Sequence, residues 1–298
     1  MTKEMTETKK LNIVLDATMF DTFQSCPAKF NYRFNHNKVT LTKAKPLDRG
    51  TLIHHGLEAY FLSLKEEHNW QTAMDKLKSA TLAYAAESDL VDDDINRTYE
   101  VLVETCDRWK HRDLKFDILE VEKSFMYLLY EDDNIRIFMI GKIDLLVNYS
   151  EGVQIYENLP IDHKSYERDF PLRRRTNQFC NYANACNSNY LFVNRIGFQT
   201  SIKPEVKHKF IPLSYDPTFL AQWKANVIEW IKTYVNCVIE DNWPMNDTSC
   251  DKYNRLCEYN EVCDSTGNET KTFKLNMNFN TAEPWDVSSS LNKKNAGE

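Results

Sequence analysis

Residues 141–165, GKIDLLVNYSEGVQIYENLPIDHKS, carry the pattern from which the architecture follows. Two apolar runs rich in β-branched residues, 135–147 and 153–161, flank Asn148, Tyr149, Ser150, Glu151 and Gly152. The pattern predicts a β-hairpin closed by a loop of about five residues. Asp144 falls inside the first strand between Ile143 and Leu145. A carboxylate there is costly unless it is paired or holds a metal. Asp162 and Lys164 follow the second run. Side chains two apart on a strand share a face, so these two project together and His163 points away. A half-buried salt bridge at a strand end would satisfy an isolated D-x-K. With Asp144, two carboxylates and an ammonium would converge on one face of a twisted sheet.

The chain of 298 residues is 42% hydrophobic, enough for one large core or two small ones. Its 7 Gly and 9 Pro are thinly spread, which argues against repeats and long low-complexity linkers. No run approaches the roughly 20 apolar residues of a membrane span. The start, MTKEMTETKK, is charged and has no apolar stretch behind it, so an intracellular, cytoplasmic protein is expected. In a reducing compartment cysteines serve as ligands or packed thiols more often than as disulfides. The net charge of −7 is the wrong sign for a bulk nucleic-acid binder but does not exclude one, because a local basic track can steer DNA.

Outward from the hairpin, the N-terminal side predicts a flexible leader over 1–13 and then two short helices meeting at Cys26-Pro27, with Phe20, Phe23, Phe30 and Phe34 as their apolar stripe. Thr51 can cap a helix on which His54 and Glu58 share a face and His55 is rotated away. Helices are predicted over 70–87 and 95–110, with Asp92, Asp93 and Asp94 as a solvated loop ending in a cap. Strands over 116–130 and 135–147 follow. On the C-terminal side, Arg173, Arg174 and Arg175 precede a helix that places Gln178 and Tyr182 on one face. Strands over 190–200 and 206–213 form a second hairpin. Asp216-Pro217 opens a long helix whose buried face carries Phe219, Trp223, Val227, Trp230 or Ile231, Tyr234 and Val238.

After Trp243-Pro244, Cys250, Cys257 and Cys263 are spaced C-x6-C-x5-C. With no histidine close by, a metal held there needs a fourth ligand from afar, and Cys26 can supply it. Cys106, Cys180, Cys186 and Cys237 fit helix-packing positions. The tail, 265–298, is polar and is expected to be extended or disordered, with Phe273, Phe279 and Trp285 able to touch the body.

The order G-x-x-D at Asp144, hairpin, then D-x-K and Ser at Asp162, Lys164 and Ser165 resembles the PD-(D/E)XK nuclease superfamily. The likeness is to its RecB-like branch of phage and viral exonucleases and CRISPR-adaptation nucleases. Further motifs stand in family order over roughly 16–264. They are the Cys-Pro helix start at Cys26 and the string G-T-x-x-H-x-x-L-E, which selects His54 over His55. Then come an acid on the preceding strand, where Glu122 and Glu120 share a face and the choice stays open, Q-x-x-x-Y at Gln178 and Tyr182, and the terminal cysteines.

The resemblance implies an α/β fold with a central mixed β-sheet flanked by helices, a restriction-endonuclease-like core. Its N- and C-terminal segments would be joined by a metal cluster. A single domain would span 14–264, with its catalytic core at about 114–213. The implied function is a metal-dependent DNA nuclease, an exonuclease in preference to an endonuclease. His54, Asp144 and Asp162 would bind Mg²⁺ or Mn²⁺, and Lys164 would orient water and stabilise phosphate charge. Gln178, Tyr182 and Arg173, Arg174 and Arg175 would meet DNA, single-stranded or at duplex ends. Cys26, Cys250, Cys257 and Cys263 would hold a [4Fe–4S] cluster. Zn²⁺ is the alternative, because the spacing departs from the tighter C-x2-C-x5-C of many relatives. Protein partners in recombination, replication or CRISPR adaptation and a phage or viral origin fit the branch; a membrane does not. A catalytically silent DNA-binding or scaffold protein that keeps the fold and cluster is the alternative from another class. Pro160 departs from the family pattern and predicts an edge or bulge that still aims Asp162 inward.

Overall fold

The computed structural model describes residues 10–41, 45–88, 90–167, 171–199, 202–252 and 255–283. In chain order the elements are β1 (Leu11–Leu15), α1 (Ala17–Ser25), α2 (Pro27–Phe30), β2 (Lys38–Thr40), α3 (Lys45–Glu67), α4 (Trp70–Ala86) and α5 (Asp92–Asp113). The strands β3 (Asp117–Glu131), β4 (Ile135–Glu151) and β5 (Gln154–Tyr166) follow, then α6 (Asn177–Ala185), β6 (Tyr190–Gly197), α7 (Pro204–Lys207), β7 (Lys209–Ser214) and α8 (Pro217–Glu240). The C-terminal part holds β8 (Asp251–Lys252), β9 (Arg255–Leu256), α9 (Asn260–Cys263), α10 (Asn268–Asn278) and β10 (Phe279–Thr281). This is the mixed α/β architecture expected, a central mixed sheet with flanking helices. Where one domain is expected over 14–264, the chain forms two compact units.

One unit is built from the described residues of Lys43–Phe125 and Lys142–Leu220. Here β4 pairs antiparallel with β5, β5 pairs in parallel with β6, and β6 pairs antiparallel with β7. The parallel step requires a crossover, and α6 supplies it. Residues 143–147 of β4 and 191–197 of β6 are buried without a break, which marks central strands covered on both faces. The core joins Ile53, Leu57, Tyr60 and Phe61 of α3 to Leu77 of α4, Leu102 of α5, and Leu145, Ile161 and Phe192 of the sheet. Gly56 lets the helices close up: a Cβ there would stand 2.8 Å from Thr81 Oγ1 and 3.0 Å from Leu102 Cδ1. Asp92, Asp93 and Asp94 form the first turn of α5, and Lys110, His111 and Arg112 its last. They are part of the helix, not the loop expected, because acids at the N-terminus and bases at the C-terminus both offset the helix dipole.

The hairpin is tighter than its sequence suggests. Glu151 faces Gln154, so Gly152 and Val153 alone make the turn, with Gly152 at φ +60. Tyr149 stacks on Tyr156 across the strands, centroids 6.1 Å apart, which extends the pairing through residues read as loop. The extra length is absorbed by a register shift between Val147 and Tyr149. Pro160 lies opposite Leu146, one residue before the pairing with β6 begins at Ile161. Its missing N–H therefore falls where β5 still has a single neighbour.

The other unit contains the described residues of Met1–Thr42, Met126–Gly141 and Ala221–Glu298. β1 runs parallel to the start of β4, Leu11 opposite Ile135. The leader expected over 1–13 is thus shortened: residues 11–13 gain a strand partner, and 1–9 lie outside the described residues. The two helices expected at Cys26-Pro27 are α1 and α2, and Asp16 caps α1 by accepting from Met19 N at 2.7 Å. Phe23 and Phe30 pack edge-on against Tyr234 of α8 at 5.5 Å each. In α8 the buried position near the C-terminal end is Cys237, whereas Val238 is exposed. The tail expected to be extended from 265 instead carries α10 and β10. Leu275 and Phe279 bury against Tyr259 and Val262, and β10 pairs with β2. Phe273 is exposed, and Trp285 lies outside the described residues.

Candidate active site

Asp144 lies one step beyond the pair Leu145 and Ile161, so the antiparallel register sets it beside Asp162 on the neighbouring strand. Its Oδ2 accepts a hydrogen bond from His163 N at 2.7 Å, and its Oδ1 lies 3.5 Å from His54 Nδ1. Asp162 is fully buried, and Lys164 Nζ reaches both its oxygens at 3.1 Å. The face sharing expected of Asp162 and Lys164 is what the backbone delivers. His163 alternates away from them, and its ring stacks on Phe61 at 5.5 Å.

His54, Glu122 and Asp144 each bring one ligand atom to within 4.8 Å of the others. Asp162, expected among the metal ligands with His54 and Asp144, is not in that trio; its carboxylate lies against Lys164. Between the two acids on β3 the structure distinguishes clearly: Glu120 pairs with Lys123 at 2.7 Å, and Glu122 joins the trio. Glu122 has φ 51, a left-handed conformation inside a strand. For a residue with a Cβ this costs about 1–3 kcal/mol and is typical of functional positions. Strict alternation would have put the two acids on the same side; the local inversion breaks that rule. His55 stacks on Tyr84 at 4.6 Å and faces Glu58, so the helix presents His54 to the sheet.

Burial pushes both Asp144 and Asp162 up, to about 7, against the lowering influence of Lys164. The cause is loss of water around an anion, and each carboxyl adds repulsion for the other wherever both ionise. Burial also lowers the His54 pKa, which keeps the imidazole neutral and its nitrogens able to bind a cation. The donor set of one imidazole and two carboxylates, crowded and poorly hydrated, fits a divalent cation. Nitrogen among the donors suits Mn²⁺ at least as well as Mg²⁺.

Around the trio, Tyr182 does something other than expected. Its side chain is buried, its hydroxyl donates to Lys142 O at 2.6 Å and accepts from Gln178 Nε2 at 3.0 Å, and its ring meets Phe125 edge-on at 5.9 Å. The ring has no open face for a base to stack on, so Tyr182 anchors α6 to β4, and Gln178 is the half-buried member of the pair. Lys142, which the sequence reading passes over, pairs through Nζ with the Glu122 carboxylate. Arg173, Arg174 and Arg175 are all exposed. Arg174 and Arg175 lie over the Phe219 ring at 4.4 and 5.1 Å, and Arg174 donates to Ser214 O at 3.1 Å. Residues 168–170, in the charged loop before them, lie outside the described residues.

In the other unit Cys26, Cys250, Cys257 and Cys263 line one small pocket together with Lys29, Met245 and Tyr259. Backbone bonds draw the segments in: Ala28 N donates to Pro244 O at 3.1 Å and Cys257 N to Cys250 O at 2.6 Å. Burial raises the Cys263 thiol to about 11, and the three other thiols push the same way. Among the described residues no three of these sulfurs lie within 4.8 Å of one another, and all eight cysteines are free thiols. A zinc tetrahedron with Zn–S near 2.3 Å would need sulfurs roughly 3.8 Å apart. Cys106, Cys180 and Cys237 are buried packing residues, as expected, and Cys186 is half-buried. Among the described residues no helix is long and apolar enough to cross a membrane.

A crystal structure from Eubacterium rectale, named "Putative exonuclease", superposes with a TM-score of 0.49 at 12% identity, covering 82% of this chain and 89% of that one. No curated protein sequence matches the chain. The family model of the PD-(D/E)XK nuclease superfamily matches residues 15–264. The chain belongs to the PD-(D/E)XK nuclease superfamily.

Proposed function

We propose that the protein is a metal-dependent DNA nuclease acting as an exonuclease. The observation that supports it most directly is the convergence of His54, Glu122 and Asp144 beside a buried Asp162–Lys164 pair. His54, Glu122 and Asp144 would hold Mg²⁺ or Mn²⁺, with Asp162 adding negative charge from the next strand. A cation bound there supplies a water of lowered pKa and neutralises charge on the scissile phosphate. Lys164, held at Asp162, presents a fixed ammonium for orienting that water and for the phosphate oxygens. Asp144 is kept in place by His163 N, and Tyr182 clamps the backbone of β4 two residues earlier. The exposed arginines at 173–175 would meet the DNA backbone, which lets an acidic protein bind a polyanion locally. The four cysteines around one pocket would hold a metal centre, [4Fe–4S] by the family resemblance, with Zn²⁺ as the alternative.

Digestion of end-labelled linear DNA and of closed circular DNA, with Mn²⁺ and with a chelator, tests the reading. Linear DNA should be degraded from its ends only with metal, and circular DNA should survive. Cleavage of the circle as fast as the linear form would overturn the exonuclease assignment, and cleavage in chelator would overturn metal dependence.

A further inference from the structure

Lys142 stands next to the metal trio, and the nuclease reading leaves it without a role. It precedes Asp144 by two residues on β4, so the two side chains leave the strand on the same face. Its backbone is fixed by the Tyr182 hydroxyl on its carbonyl. Its side chain is 55% exposed and reaches inward to the Glu122 carboxylate. Lys164 is the opposite case, with its ammonium on both oxygens of a fully buried acid. Lys142 is therefore the more exposed of the two lysines, and its partner is a member of the trio. Glu122 is also the member of the trio held in a left-handed backbone, so its aim is built in while its partner is not.

We propose that Lys142 occupies Glu122 as a stand-in cation in the metal-free site, and contacts the substrate phosphate once a divalent ion takes Glu122 over. The inference rests on the nuclease reading above and adds a residue to it. The charges support the exchange. With three carboxylates ionised and two lysines protonated, Glu122, Asp144, Asp162, Lys142 and Lys164 carry one net negative charge. A divalent ion makes that one net positive, the complement of a phosphodiester. Before metal arrives, Lys142 limits the repulsion between Glu122 and Asp144. Afterwards its ammonium has lost its partner beside the place where phosphate charge must be neutralised, and an unpaired exposed cation is a good phosphate ligand.

The exchange makes two opposite demands on one side chain. Lys142→Met keeps the stem and removes the charge, and Lys142→Arg keeps the charge. With no DNA present, Mn²⁺ titrated by calorimetry should bind Lys142→Met up to about fivefold more tightly than wild type. That is the equivalent of one partly exposed ion pair no longer competing. At saturating Mn²⁺ the same variant should turn over DNA about 100-fold more slowly, the usual scale for losing one charge-stabilising donor. Lys142→Arg should restore turnover to within a few-fold of wild type. Circular dichroism shows whether each variant folds. Unchanged or weaker Mn²⁺ binding by folded Lys142→Met overturns the proposal, as does undiminished turnover, or Lys142→Arg as slow as Lys142→Met. Asp144→Asn in parallel separates the two ideas. If it also binds Mn²⁺ and cleaves like wild type, the site itself is misread; if it is inactive while Lys142→Met is normal, only the role of Lys142 fails.

Discussion

Replacing Asp144 by Asn should make the metal-free protein more stable at pH 8 and remove most of what Mn²⁺ adds. Asp144 is buried, and its pKa rises from 3.8 to about 7 in the fold. A carboxyl whose folded value is raised contributes fully below its unfolded value near 4 and loses that contribution as pH climbs to the folded value. Above pH 7 the folded chain holds an ion it would sooner protonate. Three pH units at about 1.4 kcal/mol each set a ceiling of about 4 kcal/mol. Asp162 rises for the same reason and shares the mutual repulsion, so about 2 kcal/mol is the portion that Asp144 alone releases. Asn keeps the shape and the oxygen that accepts from His163 N. For a chain of this size 2 kcal/mol is about 3 °C in Tm.

Thermal melts in chelator should therefore show no gain for Asp144→Asn at pH 4, a growing gain through pH 5 and 6, and a plateau above pH 7. Adding Mn²⁺ at 100 times its Kd stabilises wild type by about 2.7 kcal/mol, so the order of the two proteins should reverse. Destabilisation of metal-free Asp144→Asn at pH 8 would refute the argument, since the carboxylate would then be a favourable structural ion. Equal stabilisation of both proteins by Mn²⁺ would place the metal elsewhere.

Asp162→Ala and Lys164→Ala should each lose DNA cleavage by about 100-fold or more while staying folded, and near wild-type turnover by either would remove that residue from the mechanism. Replacing Arg173, Arg174 and Arg175 together with Ala should weaken DNA binding and flatten the log–log salt dependence by up to about three, roughly one per lost phosphate contact; an unchanged slope means the arginines never meet the backbone. Cys26→Ser should release iron from anaerobically purified protein and increase protease sensitivity near both Pro27 and Cys257, because metal binding and folding are coupled. Wild-type protein holding neither iron nor zinc would end the cysteine-centre proposal.

Much of this protein is decided locally. Alternation along β5 alone sets Asp162 and Lys164 on one side with His163 on the other, because the period of a strand is a property of each residue's backbone. Helical spacing likewise separates His54 from His55 by about 100° of rotation, and amphipathic spacing outlines α4, α5 and α8. The strands themselves were legible for the same reason, since hydrophobic runs and turn residues are written along the chain, whereas their mixed order came from the family resemblance.

Other features needed the fold. Glu120 and Glu122 look equivalent in sequence, and only a reversed φ at Glu122, imposed by its surroundings, sends one to the metal trio and the other to Lys123. The resemblance implies that Tyr182 meets DNA, and only the fold shows its burial against Phe125 and its bond to Lys142 O. β1 and α10 look too short or too polar to fold; β1 gains a partner at Ile135, far away along the chain, and α10 packs on Tyr259. Lys142 had no motif to mark it, and its meaning comes from the carboxylate it touches. Periodicity belongs to neighbours in sequence, whereas burial, charge pairing and the sign of a strained φ belong to neighbours in space, and these can be read only once the chain has closed on itself.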